Sequence, residues 1–456
     1  MNIQQPWWQH SSFYHIYPLG FCGAPEHNDF TTPAVPRLEE VADTAAHIRS
    51  LGCDALYLGP LFESSSHGYD TVDHYHVDRR LGDNRILRLV VQQLHNSGLR
   101  VILDGVFNHV GRDHFAFYDL RRQGEASPYR HWFKEVDFSG NNRFDDGFTY
   151  RAWEGHEELP ELNLELPELR EHLFGAVGQM IEDFDIDGLR LDVAYALPPE
   201  FIGELARYTA DHKEEFFLLG EMIHGDYGQF AAETGLHSLT NYETYKALWS
   251  SHNDGNYFEL AHSLARHFGP EGISRNLPLY NFVDNHDVDR IADRLIEPGH
   301  LFPVYALLFT IPGIPSVYYG SEFGIKGRKA VHSDAPLRPP WRQVTPQQPE
   351  PADFIRELAE VRRRSPALKA GSYRQLFVDH HQLAFERRFG EERVVAAFNS
   401  DGAETRIELA LLADSESSEK HTAVDMFQSG KVLPIKAGVL EITLPPYGSA
   451  IFRLTE

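Results

Sequence analysis

IDGLRLDV at residues 186–193 and EFFLLGEM at 215–222 decide the fold. Each is a short apolar run with a carboxylate one residue before its end, too short for a helix of ordinary length and bounded by polar text, which predicts a buried strand. Short runs rich in β-branched and aromatic residues recur as SFYHIYPL (12–19), DALYLGP (54–60), LRVILDGVF (99–107), LPLYNFVDNHD (277–287) and IPSVYYG (314–320). Helical spacing fills the gaps. In LEEVADTAAHIRSLG, Leu38, Val41, Ala45, Ile48 and Leu51 fall on one face, and Gly52 stops the helix. Strands alternating with helices predict a parallel sheet, and with it an α/β fold of the (β/α)₈ TIM-barrel type.

Two intervals depart from that rhythm. Between Val106 and Asp185 the text is rich in aromatics, Gly, Pro and charge without a clean period, which predicts an inserted domain after strand 3. After about Pro366 come short alternating runs, QLAFERRF, RVVAAFN, TAVDMF, VLEITL and SAIFRL, separated by turn residues, which predict a C-terminal antiparallel β-domain. The expected organisation is a barrel from 1–108 and 186–368, an insertion at 109–185 and a β-domain at 369–456. SESSEK (415–420) reads as a solvated loop, and APLRPPWRQVTPQQPEP (335–351) as a loop ahead of the last barrel helix.

With 456 residues, 42% of them hydrophobic and 24% charged, the chain has the composition of an ordinary globular protein. A formal charge of −25 without a basic run argues against nucleic acid as a partner. Cys22 and Cys53 sit in no disulfide or metal spacing and read as buried thiols. Met1 to Trp8 lacks the basic start and apolar stretch of a secretory signal, and no apolar run is long enough to span a membrane. A cytoplasmic location is the expectation. Trp7 and Trp8 read as packing against the barrel, with a sugar platform as the rival.

The predicted strand ends are unusually polar. Asp104, Asn108 and His109 follow one strand, Arg190 and Asp192 the next, then Glu221, then Asp284, Asn285, His286 and Asp287. In parallel barrels these ends form the active face. A lone Asp there reads as a helix cap, but four carboxylate-bearing ends ask for more. Glycoside cleavage with retained configuration needs two carboxyl groups about 5 to 5.5 Å apart, and Asp192 and Glu221 lie on adjacent predicted strands. Arg190, two residues before Asp192, points the same way and is expected to hold it ionised. Glu221 follows Phe216, Phe217, Leu218 and Leu219, where desolvation is expected to raise its pKa.

DGVFNH (104–109), GLRLDVA (188–194), GEMIH (220–224) and FVDNHD (282–287), in that order and separation, resemble the α-amylase superfamily, glycoside hydrolase family 13. HGYDTVDHYHVD (67–78) and LPELNLELPELREHL (159–173) also look like family segments. The resemblance implies Asp192 as nucleophile, Glu221 as general acid/base and Asp287 as the carboxylate gripping the sugar at the cleavage point. It implies that His109 and His286 hydrogen-bond that sugar and that Tyr69 stacks on it, a buried structural tyrosine being the alternative. HGYDT, His224 and NYETY (241–245) look like the neopullulanase and cyclomaltodextrinase group, in which Asp334 and Arg338 resemble a pair binding the next sugar; a surface ion pair is the rival.

Against that group's pattern, the first barrel strand is placed near Ser12 without the usual N-terminal β-domain. Tyr195-Ala196 stands where many amylases carry Lys-His. No cofactor is expected: Asn108 is the one candidate calcium oxygen, and bonding within its loop is the better account. The implied activity is hydrolysis of α-1,4 bonds in small linear or cyclic maltooligosaccharides, including cyclodextrins. A glucanotransferase sharing the same intermediate, and a non-catalytic barrel binding module, are the rivals. The expected partner is an oligosaccharide substrate, with no nucleic acid and no membrane, and homodimerisation is left open.

Overall fold

The computed structural model describes residues 6–331, 333–411, 422–427 and 430–455. Strands β1 (Phe13–Ile16), β2 (Ala55–Leu58), β3 (Phe62–Ser64), β4 (Thr71–Val77) and β5 (Arg100–Gly105) come first, then β6 (Gly188–Leu191), β7 (Phe217–Gly220), β8 (Ser238–Leu239), β9 (Tyr280–Phe282) and β10 (Ile314–Tyr318). Eight of these form one sheet in the order β8-β7-β6-β5-β2-β1-β10-β9. A parallel bridge between Thr240 and Tyr280, with the Asn241 amide donating to Tyr280 O at 2.9 Å, joins the two end strands. The sheet therefore closes into a barrel. Strand β8 is two residues long, too short to show any alternation, and so escapes a reading by periodicity.

Alternation along the strands sorts the side chains. Phe13, Ala55, Ile102, Phe217, Tyr280 and Ile314 cluster inside the barrel, and Trp8 caps them at the N-terminal end, its ring 5.3 Å from that of Phe217. Continuing the same parity toward the C-terminal end brings Asp104 into register with Arg190, and Arg190 with Leu219. Gly188 opens β6 where a Cβ would stand 2.4 Å from Phe217 O, so the two strands meet only because that side chain is missing.

The barrel helices follow their apolar spacing. In Asn84–Asn96, Asp83 caps the first turn by accepting from the Ile86 amide at 2.8 Å, and Leu87, Val90, Val91 and Leu94 are buried. The helix expected over 38–51 is split into Glu39–Asp43 and Ala45–Ser50. Thr44 causes the break, since its amide and hydroxyl both donate to Val41 O, at 3.2 and 2.7 Å. The apolar face survives, with Leu38, Val41, Ala45, Ile48 and Leu51 all buried.

The stretch expected to be an irregular insertion to residue 185 is irregular only as far as about 166. Pro167–Phe184 is a regular helix packed beside Asn84–Asn96 and Pro199–His212 as a barrel helix should be. Its period is masked by polar residues such as Glu171, His172 and Gln179 among the buried Leu169, Leu173, Val177 and Met180. The hairpin of β3 and β4 is a second excursion, in HGYDTVDHYHVD and its flank.

At the C-terminal end, β11 (Ser372–Val378), β12 (Gln382–Phe389), β13 (Glu392–Asn399), β14 (Thr405–Ala410), β15 (Thr422–Asp425), β16 (Val432–Lys436), β17 (Val439–Leu444) and β18 (Ser449–Thr455) form an antiparallel sheet. Val395, Ile407, Leu440, Ile442 and Phe452 belong to its own core. Buried Arg387 ties it to the barrel by donating to Thr310 O at 2.6 Å. The SESSEK segment lies outside the described residues.

Candidate active site

Arg190 organises the C-terminal end of the barrel. Its Nη1 donates to both oxygens of Asp104, at 2.8 and 3.0 Å, and to Asp192 Oδ1 at 2.9 Å, while Nη2 stands 3.0 Å from Glu221 Oε1. Strand parity explains the gathering: Arg190 and Asp192 are two residues apart on β6 and its extension, Asp104 faces Arg190 from β5, and Glu221 follows β7. Asp192 and Glu221 meet one guanidinium, one on each terminal nitrogen, which bounds how far apart they can lie. Tyr57 supports the base of the cluster, its hydroxyl donating to Asp104 Oδ2 at 2.7 Å.

Burial pushes the carboxyls of Asp192 and Glu221 up, Asp192 furthest, with Arg190 pulling both down; repulsion from Glu221, Asp104 and Asp287 adds to the rise at Asp192, and repulsion from Asp287 and Asp104 to that at Glu221. Desolvation raises Glu221 as expected, but the expectation that Arg190 holds Asp192 ionised needs correction, because burial raises Asp192 further and the guanidinium is shared with Glu221. Asp104 and Asp287 thus raise both carboxyls, so ionising any one of these clustered acids makes the others harder to ionise.

Val193, directly after Asp192, has φ 39° and ψ 46°, a left-handed conformation costly for a β-branched residue. Its amide donates to Glu221 Oε2 at 2.8 Å. The backbone twist after Asp192 is thus tied to the second carboxylate. Tyr242, at the start of the helix Tyr242–Asn253, adds a contact to Glu221 Oε1 at 3.5 Å and accepts from Asn285 Nδ2 at 3.0 Å.

Asp287 sits at the edge of this group, its side chain 34% exposed, with His286 Nε2 3.0 Å from Oδ2. Tyr69 stacks on the His286 ring at 5.5 Å and 12° and donates to Asp104 Oδ2 at 3.0 Å; its hydroxyl also contacts His286 Nε2. Burial, with Arg338 and Arg190 nearby, drives the His286 pKa well down. Arg338 donates to His286 O at 3.0 Å, to Asp334 Oδ2 at 2.9 Å and to Asp287 Oδ1 at 3.4 Å. With its side chain only 10% exposed and its guanidinium 4.3 Å from the Tyr17 ring centre, Arg338 is part of the site wall rather than half of a surface ion pair.

His109 lies 4.0 Å from Asp192 Oδ2, and burial lowers its pKa to about 3. The Asn108 side chain contacts the His109 ring at 3.4 Å, a bond within the loop. Trp153 of the inserted stretch approaches the His109 ring at 5.6 Å, and its neighbour Glu154 accepts from the Tyr195 hydroxyl at 3.5 Å. The insertion therefore reaches the loop beyond Asp192. His224 is not drawn in: it is exposed, and among the described residues no hydrogen bond ties it to the carboxylates. Asp284 proves structural, accepting from Ser321 Oγ and from the Ile291 amide, all within 2.9 Å.

Tyr17, Tyr57, Tyr242 and Trp153 were not picked out as site residues by the sequence. For Tyr17 and Tyr57 the signal was present, as polar-tipped aromatics at strand ends, but many tyrosines share it.

The α-amylase catalytic-domain family matches residues 16–361, and the maltogenic amylase C-terminal domain family matches residues 373–451. Neopullulanase 2 of Thermoactinomyces vulgaris is 31% identical, over 98% of this chain and 78% of that protein. Cyclomaltodextrinase of Thermoanaerobacter pseudethanolicus is 29% identical over 84% and 66% respectively. Intracellular maltogenic amylase of Bacillus subtilis is 27% identical over 96% and 78%. Among solved structures, a protein of Thermus thermophilus superposes with a TM-score of 0.84 at 30% identity, covering 98% of this chain and 99% of that one. The cyclic α-maltosyl-(1→6)-maltose hydrolase of Arthrobacter globiformis superposes with a TM-score of 0.81 at 25% identity, covering 98% and 100%.

Proposed function

The chain belongs to the α-amylase family of glycoside hydrolases, and from that premise we propose that it cleaves α-1,4-glucosidic bonds of small linear or cyclic maltooligosaccharides by double displacement. The observation that carries the mechanism is the pair of buried carboxyls, Asp192 and Glu221, on one guanidinium. A retaining reaction requires one carboxyl ionised to attack and the other protonated to donate, and two buried carboxyls on one guanidinium are placed for those roles.

In the first step a carboxylate oxygen of Asp192 attacks the anomeric carbon, the bond to the leaving oxygen breaks, and Glu221 passes its proton to that oxygen. A glycosyl ester on Asp192 results. In the second step Glu221, now ionised, takes a proton from water as the water oxygen attacks the same carbon and Asp192 leaves. Asp287, flanked by His286 and Arg338, holds the hydroxyls of the reacting sugar, with His109 as a further hydrogen-bonding group. Tyr69 offers an aromatic surface to its apolar face. Asp334 and Arg338 bind the next sugar on the non-reducing side.

Compact substrates are favoured by the contact of Trp153 and Glu154 with the His109 and Tyr195 side of the cleft. The names of the relatives, neopullulanase, cyclomaltodextrinase and maltogenic amylase, point the same way. A cytoplasmic location agrees with the intracellular Bacillus enzyme and with a chain in which no described helix is long and apolar enough to cross a membrane.

The test is a product time course on maltohexaose, cyclic maltodextrins, pullulan, soluble starch and a branched cyclic tetrasaccharide, with Asp192→Asn as control. Rapid opening of cyclic substrates with little attack on starch is the expected result. Products longer than the starting sugar would make the protein a transferase, and inertness toward all five would overturn the substrate class.

A further inference from the structure

Three histidines from distant parts of the chain converge outside the carboxylate cluster. His74 lies on β4, His114 caps the helix Phe115–Gln123, and His172 lies on Pro167–Phe184. Each offers one ring nitrogen, and these nitrogens all lie within 4.8 Å of one another, the one such grouping among the described residues. None of the three bonds to Asp192, Glu221 or Asp287.

The protonation pattern suits a ligand. His74 is 3% exposed, and its Nε2 stands 2.9 Å from Val106 O. That carbonyl can only accept, so Nε2 carries the ring proton and Nδ1 is left as a bare lone pair. Among the described residues Nδ1 has no hydrogen-bond partner, although it is buried. A buried acceptor without a donor is costly. A histidine whose far nitrogen is oriented by a backbone carbonyl is, moreover, the usual arrangement of a metal ligand. His114 is 1% exposed, and its Nδ1 accepts from the Ala116 amide over a long 3.4 Å, a bond that metal binding by this ring would displace. His172 is partly exposed, so the cluster is reachable from solvent.

We propose that His74, His114 and His172 bind one divalent transition-metal ion of the zinc class, which clips the β3–β4 excursion and the inserted stretch onto a barrel helix. Three imidazoles select zinc, nickel or copper over calcium, which takes oxygen ligands. Zinc–nitrogen bonds of about 2.0–2.1 Å place tetrahedral ligands about 3.4 Å apart, so the rings draw inward from a separation of at most 4.8 Å. Water takes the fourth position on the side of His172. Phe115, Trp132 and Tyr75 pack around His172 at centroid distances of 5.6, 5.4 and 5.1 Å, leaving little room for it to turn away.

The ion is structural. Val106 lies two residues before Asn108 in the loop that carries His109, so a fixed His74 steadies that loop from outside the cleft.

The test uses tag-free full-length protein stripped with a chelator and desalted, titrated with zinc chloride by calorimetry and followed by thermal denaturation. One ion per chain and a rise of several degrees in Tm are expected, with no response to calcium chloride. His172→Ala should weaken binding by at least about tenfold and abolish the Tm rise, whereas His76→Ala, an exposed histidine of the same strand as His74, should change neither. If His172→Ala fails to fold, His172→Gln is used, together with the absorption of the cobalt-loaded wild type, which should show the intense visible bands of a four-coordinate nitrogen site. Absence of zinc binding at micromolar concentration, equal binding by the His172 variant, or cobalt bands typical of the hydrated ion would each overturn the proposal.

Discussion

The charge balance around Arg190 sets what single substitutions should do. Glu221→Gln removes the proton donor, and a loss of about 10²–10⁴ in kcat is expected. In kcat/KM, which reports the first step, the loss should be large for maltooligosaccharides and small for aryl glycosides with good leaving groups; an equal loss in kcat/KM on both would rule out acid catalysis by Glu221. Asp192→Asn carries a second signature. The carboxyl of Asp192 is raised in the folded chain by burial, so the native state holds its proton more tightly than the unfolded state does. That contribution to stability is present below the unfolded pKa, about 3.9, and is lost as pH rises through the folded value. Asp192→Asn should therefore gain Tm relative to wild type between pH 4 and pH 8. A constant difference across that range would count against the buried pair. Arg338→Ala removes charged hydrogen bonds to Asp287 and the His286 carbonyl, each worth about 1.5–3 kcal/mol. A fall of roughly 10- to 150-fold in kcat/KM is expected, and unchanged kinetics would return the residue to a surface role.

At the scale of elements, the barrel is stoppered at one end and active at the other. Trp7 and Trp8 meet Phe13 and Phe217 at the N-terminal end, and Trp7 Nε1 donates to Glu215 O at 3.0 Å. Trp8 is 6% exposed, which settles its packing role over that of a sugar platform. Trp8→Ala should cost about 3–5 kcal/mol of stability, read as a lower denaturant midpoint, while KM for maltohexaose stays the same. A KM effect without loss of stability would reverse that assignment. The seven strands visible in the sequence all carry several apolar residues, whereas β8 carries one, Leu239, and is specified by its neighbours: Ser238 pairs with Leu219 and Thr240 bridges to Tyr280. The helix Pro167–Phe184 was hidden for the opposite reason, having polar residues on partly buried positions where packing supplies the partner, as at Arg170 with Glu204 at 2.8 Å.

For the whole molecule, buried histidines set an acid limit. Burial holds His109 and His252 at about 3 and His286 well below its ordinary value. Their stability contribution is present above the unfolded pKa of about 6.5 and is lost as pH falls toward the folded values. Tm should decline between about pH 6.5 and pH 3, with the buried carboxyls opposing that trend. A Tm that stayed flat from pH 7 to pH 4 would contradict the burial of these rings as neutral groups.

Some of this protein is local in origin and some is not. Strand, helix and turn patterns depend on residues within a few positions of each other, so the βα rhythm, the C-terminal β-domain and the carboxylates at the strand ends are all determined by the sequence alone. The motif segments carry the family with them. What needed the tertiary structure is whatever depends on convergence: Arg190 shared between Asp192 and Glu221; Arg338 turned into the site wall; Trp153 brought to His109; and the closure of the barrel through Thr240 and Tyr280. The grouping of His74, His114 and His172 is of the same kind, since 98 residues separate the first from the last and no spacing rule spans that distance. Contacts between segments far apart in the chain are decided by which surfaces bury together, and a one-dimensional pattern does not contain that choice.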